Sequence, residues 1–205
     1  LNHRLKKITV VSSSMVFENA TLFPTPEYHI DECPPPSSTY GFQKLACEYF
    51  AKGAWEQYKL PYTIIRPFNC GGIGESKALC EKENISIGLS HVIPDLCKKI
   101  LLGQNPLHIL GSGNQIRCYT YGGDIAAGII ASLENKNATN ETFNISTNIS
   151  TTVTELASLI NYKINGSFDL NFVYDQPFQY DVQKRIPDVS KAKRLLEFEA
   201  ITTLD

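Results

Sequence analysis

The chain has 205 residues, 42% of them apolar and 20% charged, with a net charge of −2 at pH 7. That length holds one large domain or most of a pair of smaller ones, with an ordinary globular composition. A near-neutral balance gives nucleic acid or an anionic membrane no reason to bind, and no apolar run approaches the roughly 18–20 residues that cross a bilayer.

Leu1-Asn2-His3-Arg4 is not a secretory signal and reads as a cut or incomplete start. The cysteines at 33, 47, 70, 80, 97 and 118 form no C-x-x-C pair. Reduced thiols in a cytoplasm are the expected state. Sequons at Asn19, Asn84, Asn137, Asn140, Asn144, Asn148 and Asn165 fit an Asn-rich composition better than glycosylation.

Ile8-Thr9-Val10-Val11 is a short β-branched run, which predicts a buried strand over Lys7–Ser12. A loop with five prolines between Pro24 and Pro36 follows. Ser37-Ser38-Thr39 offers caps for a helix from about Tyr40 to Tyr58, and Tyr62–Arg66 reads as a second strand. Strand, helix and strand in that order predict a right-handed crossover in a parallel sheet.

Gly71-Gly72-Ile73-Gly74 breaks the pattern, and a polar stretch runs to Ser86. A helix over His91–Leu102 and a strand over Leu107–Leu110 come next, then a turn at Gly111-Ser112-Gly113-Asn114. Asp124 is expected to cap a helix running to Leu133. Phe143–Ile145 reads as a strand, Thr151 or Thr152 as the cap of a helix to about Ile164, Leu170–Val173 as a strand and Val189–Leu196 as a closing helix.

The chemistry centres on Tyr40-Gly41-Phe42-Gln43-Lys44. Residues four apart share a helix face, so the Tyr40 ring and the Lys44 amine can enter one site. A phenol near pKa 10 is a poor base at neutral pH, and a fixed ammonium nearby favours the phenolate. Lowering it by about three units takes ~4 kcal/mol, at about 1.36 kcal/mol per unit. Ser12-Ser13-Ser14, after the first strand, offers hydroxyls to a substrate oxygen. Taken alone, a Tyr-x-x-x-Lys pair is more often a solvated helix face, and a serine run a turn or cap. The order of strand, serines, proline-rich loop, Tyr-x-x-x-Lys helix, strand and Arg66-Pro67-Phe68-Asn69 is more specific.

That order resembles the extended short-chain dehydrogenase/reductases, and most closely their NAD-dependent epimerase/dehydratase branch. Gly111-Ser112-Gly113-Asn114-Gln115-Ile116-Arg117-Cys118-Tyr119 is similar to the family's Gly-x-Gly-x-x-x-Arg-x-Tyr stretch, and Pro187-Asp188-Val189-Ser190-Lys191-Ala192 to its C-terminal helix start. The resemblance implies the C-terminal part of a Rossmann-like doubly wound parallel sheet plus a smaller α+β substrate-binding lobe. Residues 1–70 would belong to the NAD-binding domain. Residues 71–205 would be mainly the nucleotide-sugar lobe, with segments returning to the sheet.

It also implies roles. Tyr40 would be the catalytic base, Lys44 would hold the nicotinamide ribose, and Ser13 would be the hydroxyl partner. Ser12, Pro67 and Phe68 would complete the NAD side. Ser14, Asn69, His91, Arg117 and Asp181 would meet the nucleotide sugar, Arg117 as a guanidinium clamp on pyrophosphate. No metal is implied. The partner is a nucleotide sugar, foremost a UDP-sugar, and pairing of two copies through the Tyr40 helix is common in the family.

Departures bear on the reaction. The family's Val-Tyr-Gly reads Val16-Phe17-Glu18. Dehydratases of the branch place Asp-Glu after the hydroxyl residue, where this chain has Ser14 and Met15; a thioether cannot shuttle a proton. Epimerisation, with C4 of the sugar as the expected carbon, is therefore expected ahead of dehydration, and a reductase of the same branch is an alternative. His91 stands where a phosphate-contacting Asn is expected, and Phe178 where a second phosphate-contacting Arg is expected. The opening Gly-x-x-Gly-x-x-Gly turn, whose helix N-terminus holds the NAD pyrophosphate, is missing. Roughly 100 residues of βα units should precede Leu1. A non-catalytic remnant that binds nucleotide sugar is the reading from another class.

Overall fold

The computed structural model describes residues 5–73, 75 and 91–205. Gly74, Cys80, the sequon at Asn84 and residues 76–86 of the expected polar stretch lie outside them. The main elements in chain order are β1 (Ile8–Val11), α1 (Thr39–Tyr58), β2 (Tyr62–Pro67), α2 (Val92–Leu101), β3 (Leu107–Leu110), α3 (Gly122–Glu134), β4 (Glu141–Ile145), α4 (Val153–Asn165), β5 (Phe172–Asp175) and α5 (Ser190–Leu196). The chain is α/β with parallel strands, as expected. The described residues divide into two compact units. One takes in the chain up to Cys70, Arg117–Ser150 and Lys184–Leu204; the other takes in Gly71–Ile116 and Thr151–Gln183.

The first unit is built on a parallel sheet of order β1-β2-β4. Ile8 pairs with Tyr62 and Val11 with Ile65; on the other side Thr63 pairs with Glu141 and Pro67 with Ile145. β2 is the central strand, and Thr63, Ile64, Ile65 and Arg66 are all buried. A strand covered on both faces needs this unbroken buried run in place of alternation. One layer of the core forms where Ile65, Phe143 and Ile145 meet Ile125 of α3 and Ala192 and Leu196 of α5. Gly128 sets the α3 spacing: a Cβ there would lie 2.6 Å from Ile145 Cγ2. Lys7 donates to the carbonyl of Ser132 at 2.9 Å, placing a cation at the C-terminal end of α3.

Local chemistry explains the helix ends. Ser38 caps α1 by accepting from Gly41 N–H, and the helix stops at Lys59 in the left-handed region (φ 55°), just before Pro61. Thr152 and Glu155 form a capping box at α4, and Gly166 (φ 74°) ends it. Asp124 does not cap α3. That helix begins at Gly122 with no side-chain cap. The Asp124 carboxylate instead accepts from Thr202 N–H at 2.9 Å, inside the first turn where negative charge meets the helix dipole.

The second unit pairs β3 and β5 in parallel, Leu107 with Phe172 and Leu110 with Asp175. β5 starts two residues later than the apolar pattern suggests. Asn161 of α4 donates to the carbonyls of Ser167 and Asp169 and holds that segment out of the strand. The two-residue pairings at 70–71, 116–117, 120–121, 151–152 and 184–185 are too short to show a periodicity.

The first unit buries one ion pair completely. Arg66 of β2 and Glu48 of α1 are each 1% exposed, and two guanidinium nitrogens donate to the two carboxylate oxygens at 2.9 and 2.6 Å. Arg66 also donates to the carbonyl of Glu27 at 3.0 Å and lies over the Phe17 ring at 4.6 Å. Ser12 Oγ donates to the same carboxylate at 2.5 Å. Arg66→Met, which leaves the Glu48 carboxylate buried and unpaired, should lower the unfolding free energy by about 3–5 kcal/mol in urea denaturation.

Candidate functional site

Tyr40 stands in the first turn of α1, beside the carboxyl end of β1, where parallel α/β sheets expose their ligand crevices. Its ring is half exposed, at 51%. Lys44 lies one helical turn on; its ammonium sits 5.8 Å from the Tyr40 ring centroid. It also donates to the carbonyl of Val11, the last residue of β1, at 3.0 Å. The two side chains therefore share a face, and that bond aims the amine at the strand end. Of the three N–H donors an ammonium carries, one is spent on Val11. Two more can meet a diol.

The three serines have three different environments. Ser12 is buried, its hydroxyl committed to Glu48; that side chain does not reach outward to a cofactor. Ser13 is half buried and opens the 3-10 turn Ser14–Phe17, its Oγ accepting from Met15 N–H at 3.2 Å. A hydroxyl that accepts there still has its own proton to donate. Ser14 is buried inside the turn.

Pro67 ends β2. Phe68 is 1% exposed and packs with Val16 and Phe17, so its ring belongs to the core. Asn69 is held at φ 37°. Its amide donates to the Cys118 carbonyl at 3.4 Å, and its Oδ1 accepts from Arg185 Nη1 at 3.3 Å. Arg117 and Arg185 both carry positive charge near Tyr119, opposing the burial that pushes its phenol up to about 12. The first unit thus gathers two arginines and an amide around one buried phenol.

The other two expected residues lie in the second unit. His91 is exposed at the start of α2, its Nδ1 2.6 Å from Glu75 Oε1. Asp181 Oδ2 accepts from Gln115 at 2.8 Å and from Gln183 at 3.1 Å. It lines a cavity of about 340 Å³ with Gly111, Ser112, Tyr174, Asp175 and Gln183. A flat aromatic ring beside carboxylates and amides suits a hydroxyl-rich ligand.

Glu48 and Arg185 also shape the first unit's site, and sequence reasoning missed both. Glu48 was findable, since Tyr40, Lys44 and Glu48 recur every four residues along one helix face. Arg185 carries no local signal, because its neighbours Asn69 and Tyr119 are distant in sequence.

The model of the NAD dependent epimerase/dehydratase family matches residues 1–146. The chain is 32% identical over 192 residues to a putative UDP-glucose 4-epimerase of Methanocaldococcus jannaschii, covering 93% of this chain and 57% of that protein. It is 31% identical over 156 residues to the dTDP-D-glucose 4,6-dehydratase of Homo sapiens, covering 75% and 39%. Among solved structures, the UDP-glucose 4-epimerase of Thermotoga maritima with UDP-glucose aligns with a TM-score of 0.80 at 33% identity, covering 97% of this chain and 60% of that one. The chain thus spans about three-fifths or less of the length of each.

Tyr119 also carries a pH dependence. Burial raises its pKa in the fold to about 12, from about 10 for a free phenol. The stability this contributes is fully present below about pH 10 and is lost as pH climbs towards the folded value. Tyr119→Phe should flatten part of that alkaline loss, measured as the denaturation midpoint at about pH 8 and about pH 11. At the lower pH it should cost little, because the hydroxyl it removes has no hydrogen-bond partner among the described residues.

Proposed function

Because this chain belongs to the NAD-dependent epimerase/dehydratase family, we propose that it carries the proton-transfer centre and sugar-nucleotide contacts of a nucleotide-sugar 4-epimerase. The observation that carries the reading is the Tyr40–Lys44 pair, side by side at the end of β1. Tyr40 Oη takes the proton from the sugar hydroxyl whose carbon is oxidised and returns it when that carbon is reduced. Lys44 stabilises the phenolate by its charge and offers its remaining donors to a ribose diol. Ser13 donates to the same sugar oxygen and holds it beside Tyr40.

The nicotinamide end of NAD fits the residues present, through Lys44 and Tyr40; Ser12 and Phe68 would act from beneath, by packing. NAD, when bound, supplies the hydride acceptor and donor. Asn69, Arg117 and Arg185 suit the pyrophosphate, since guanidiniums match phosphate oxygens in a planar fork. In the second unit, Asp181 suits the nucleotide ribose and His91 a phosphate. A UDP-sugar is the proposed ligand, in keeping with the UDP-glucose in the T. maritima enzyme. Pairing of two copies through α1 belongs to the same proposal; that helix leaves Phe42, Tyr49 and Phe50 exposed.

The dehydratase among the relatives names the main rival. Elimination of water needs an acid and a base beside the hydroxyl residue, and here Ser14 is buried in its turn and Met15 has no proton to give. In the complete chain, interconversion of two 4-epimers without net NADH is the expected activity. Tyr40→Phe should lower turnover at least about 100-fold, the lower end for a general base. Net NADH change with UDP-, dTDP- or GDP-sugars would assign a dehydrogenase or reductase. Binding of nucleotide sugar without turnover would assign the non-catalytic remnant.

A further inference from the structure

We infer that Glu18 is a positioning residue, which fixes the first turn of α1 against the 3-10 turn opened by Ser13 and so sets the Ser13 hydroxyl against the Tyr40 phenol. The inference rests on the roles of Ser13 and Tyr40 proposed above. One short turn carries both ends of the device. Ser13 caps its start, and Glu18 closes it with its backbone N–H on the Met15 carbonyl at 3.2 Å. Val16 and Phe17 between them are 0% and 2% exposed, which anchors the turn in the core.

From that turn and Asn19 after it, four contacts reach the segment that opens α1. Glu18 Oε2 accepts from Ser38 N–H at 2.9 Å, and Ser38 is the residue whose Oγ caps the helix. Asn19 Nδ2 donates to the Pro35 carbonyl at 2.7 Å and to Ser37 Oγ at 3.2 Å. Gly41 brings the helix backbone against the turn, since a Cβ there would lie 2.7 Å from the Met15 carbonyl oxygen. Tyr40 falls between the Ser38 latch and the Gly41 contact. Both Ser13 and Tyr40 are thereby tied to one rigid frame, and reacting groups held this way need little reorganisation.

A stability role alone explains Glu18 poorly. The side chain is 9% exposed, and its Oε1 has no hydrogen-bond partner among the described residues. Burying a half-satisfied carboxylate is unfavourable. The compensating contact is the charged acceptor at the N-terminal end of α1, where the helix dipole favours it. The motif this turn resembles has glycine at that place and cannot form the latch.

The test compares wild type, Glu18→Ala, Glu18→Gln and Tyr40→Phe in the complete, NAD-loaded enzyme with UDP-glucose. It reads kcat, KM, thermal midpoint and hydrogen exchange at the Ser38 amide. Glu18→Ala should lower kcat about tenfold, as a small misplacement of reacting groups does. KM should stay within about twofold and Ser38 exchange should quicken. Glu18→Gln keeps an acceptor for Ser38 N–H and should stay within about threefold of wild-type kcat. With Tyr40→Phe inactive, the inference is overturned by wild-type kcat in Glu18→Ala, by kcat loss that only tracks KM and thermal midpoint, or by Gln failing as badly as Ala. Near-normal turnover of Tyr40→Phe would overturn the reading of Tyr40, and this inference with it.

Discussion

The first unit is organised around the buried pair of Arg66 and Glu48. A guanidinium in the central strand of a sheet is costly to desolvate. It is tolerated because a full carboxylate neutralises it and each of its three nitrogens donates: two to Glu48, one to the Glu27 carbonyl. The pair contributes little net stability against an apolar substitute. It contributes geometry. Glu48 is one helical turn beyond Lys44 and two beyond Tyr40, so fixing Glu48 fixes the rotation of α1 about its axis. The Ser12 hydroxyl on the same carboxylate ties the end of β1 to that rotation. Tyr40 and Lys44 face the strand end because Glu48 faces the core.

A division of labour follows along α1. The deep position is fully hydrogen-bonded and closed to solvent. The outer positions reach solvent: Tyr40 is half exposed, and the half-buried Lys44 keeps two N–H donors beyond its bond to Val11. The serine run is graded in the same way: Ser12 serves the buried pair, Ser14 the interior of a turn, and Ser13 alone stays half buried with a proton to offer. Chemically equivalent residues in a row are thus separated by the burial that the turn imposes.

Much of the fold was legible because its signals are local. β1, β2 and β4 show as short apolar runs, and α1 through the caps at its start. α4 shows through the cap at Thr151 or Thr152, of which the structure uses Thr152. Errors fell where a distant partner decides. Asp124 has the chemistry of a cap, yet the backbone at Thr202 engages it and the helix starts without it. β5 is displaced because Asn161 claims Ser167 and Asp169.

The sequence by itself determined the order of elements and the Tyr-x-x-x-Lys face, since each depends on contacts within a few residues along the chain; the parallel sheet followed from the strand, helix, strand order. Only the tertiary structure decided which serine hydroxyl is available, that Glu48 answers Arg66, and that Arg185 and Tyr119 stand beside Asn69. Those outcomes depend on burial and on donors meeting acceptors far apart in the chain, and neither is written in any local pattern.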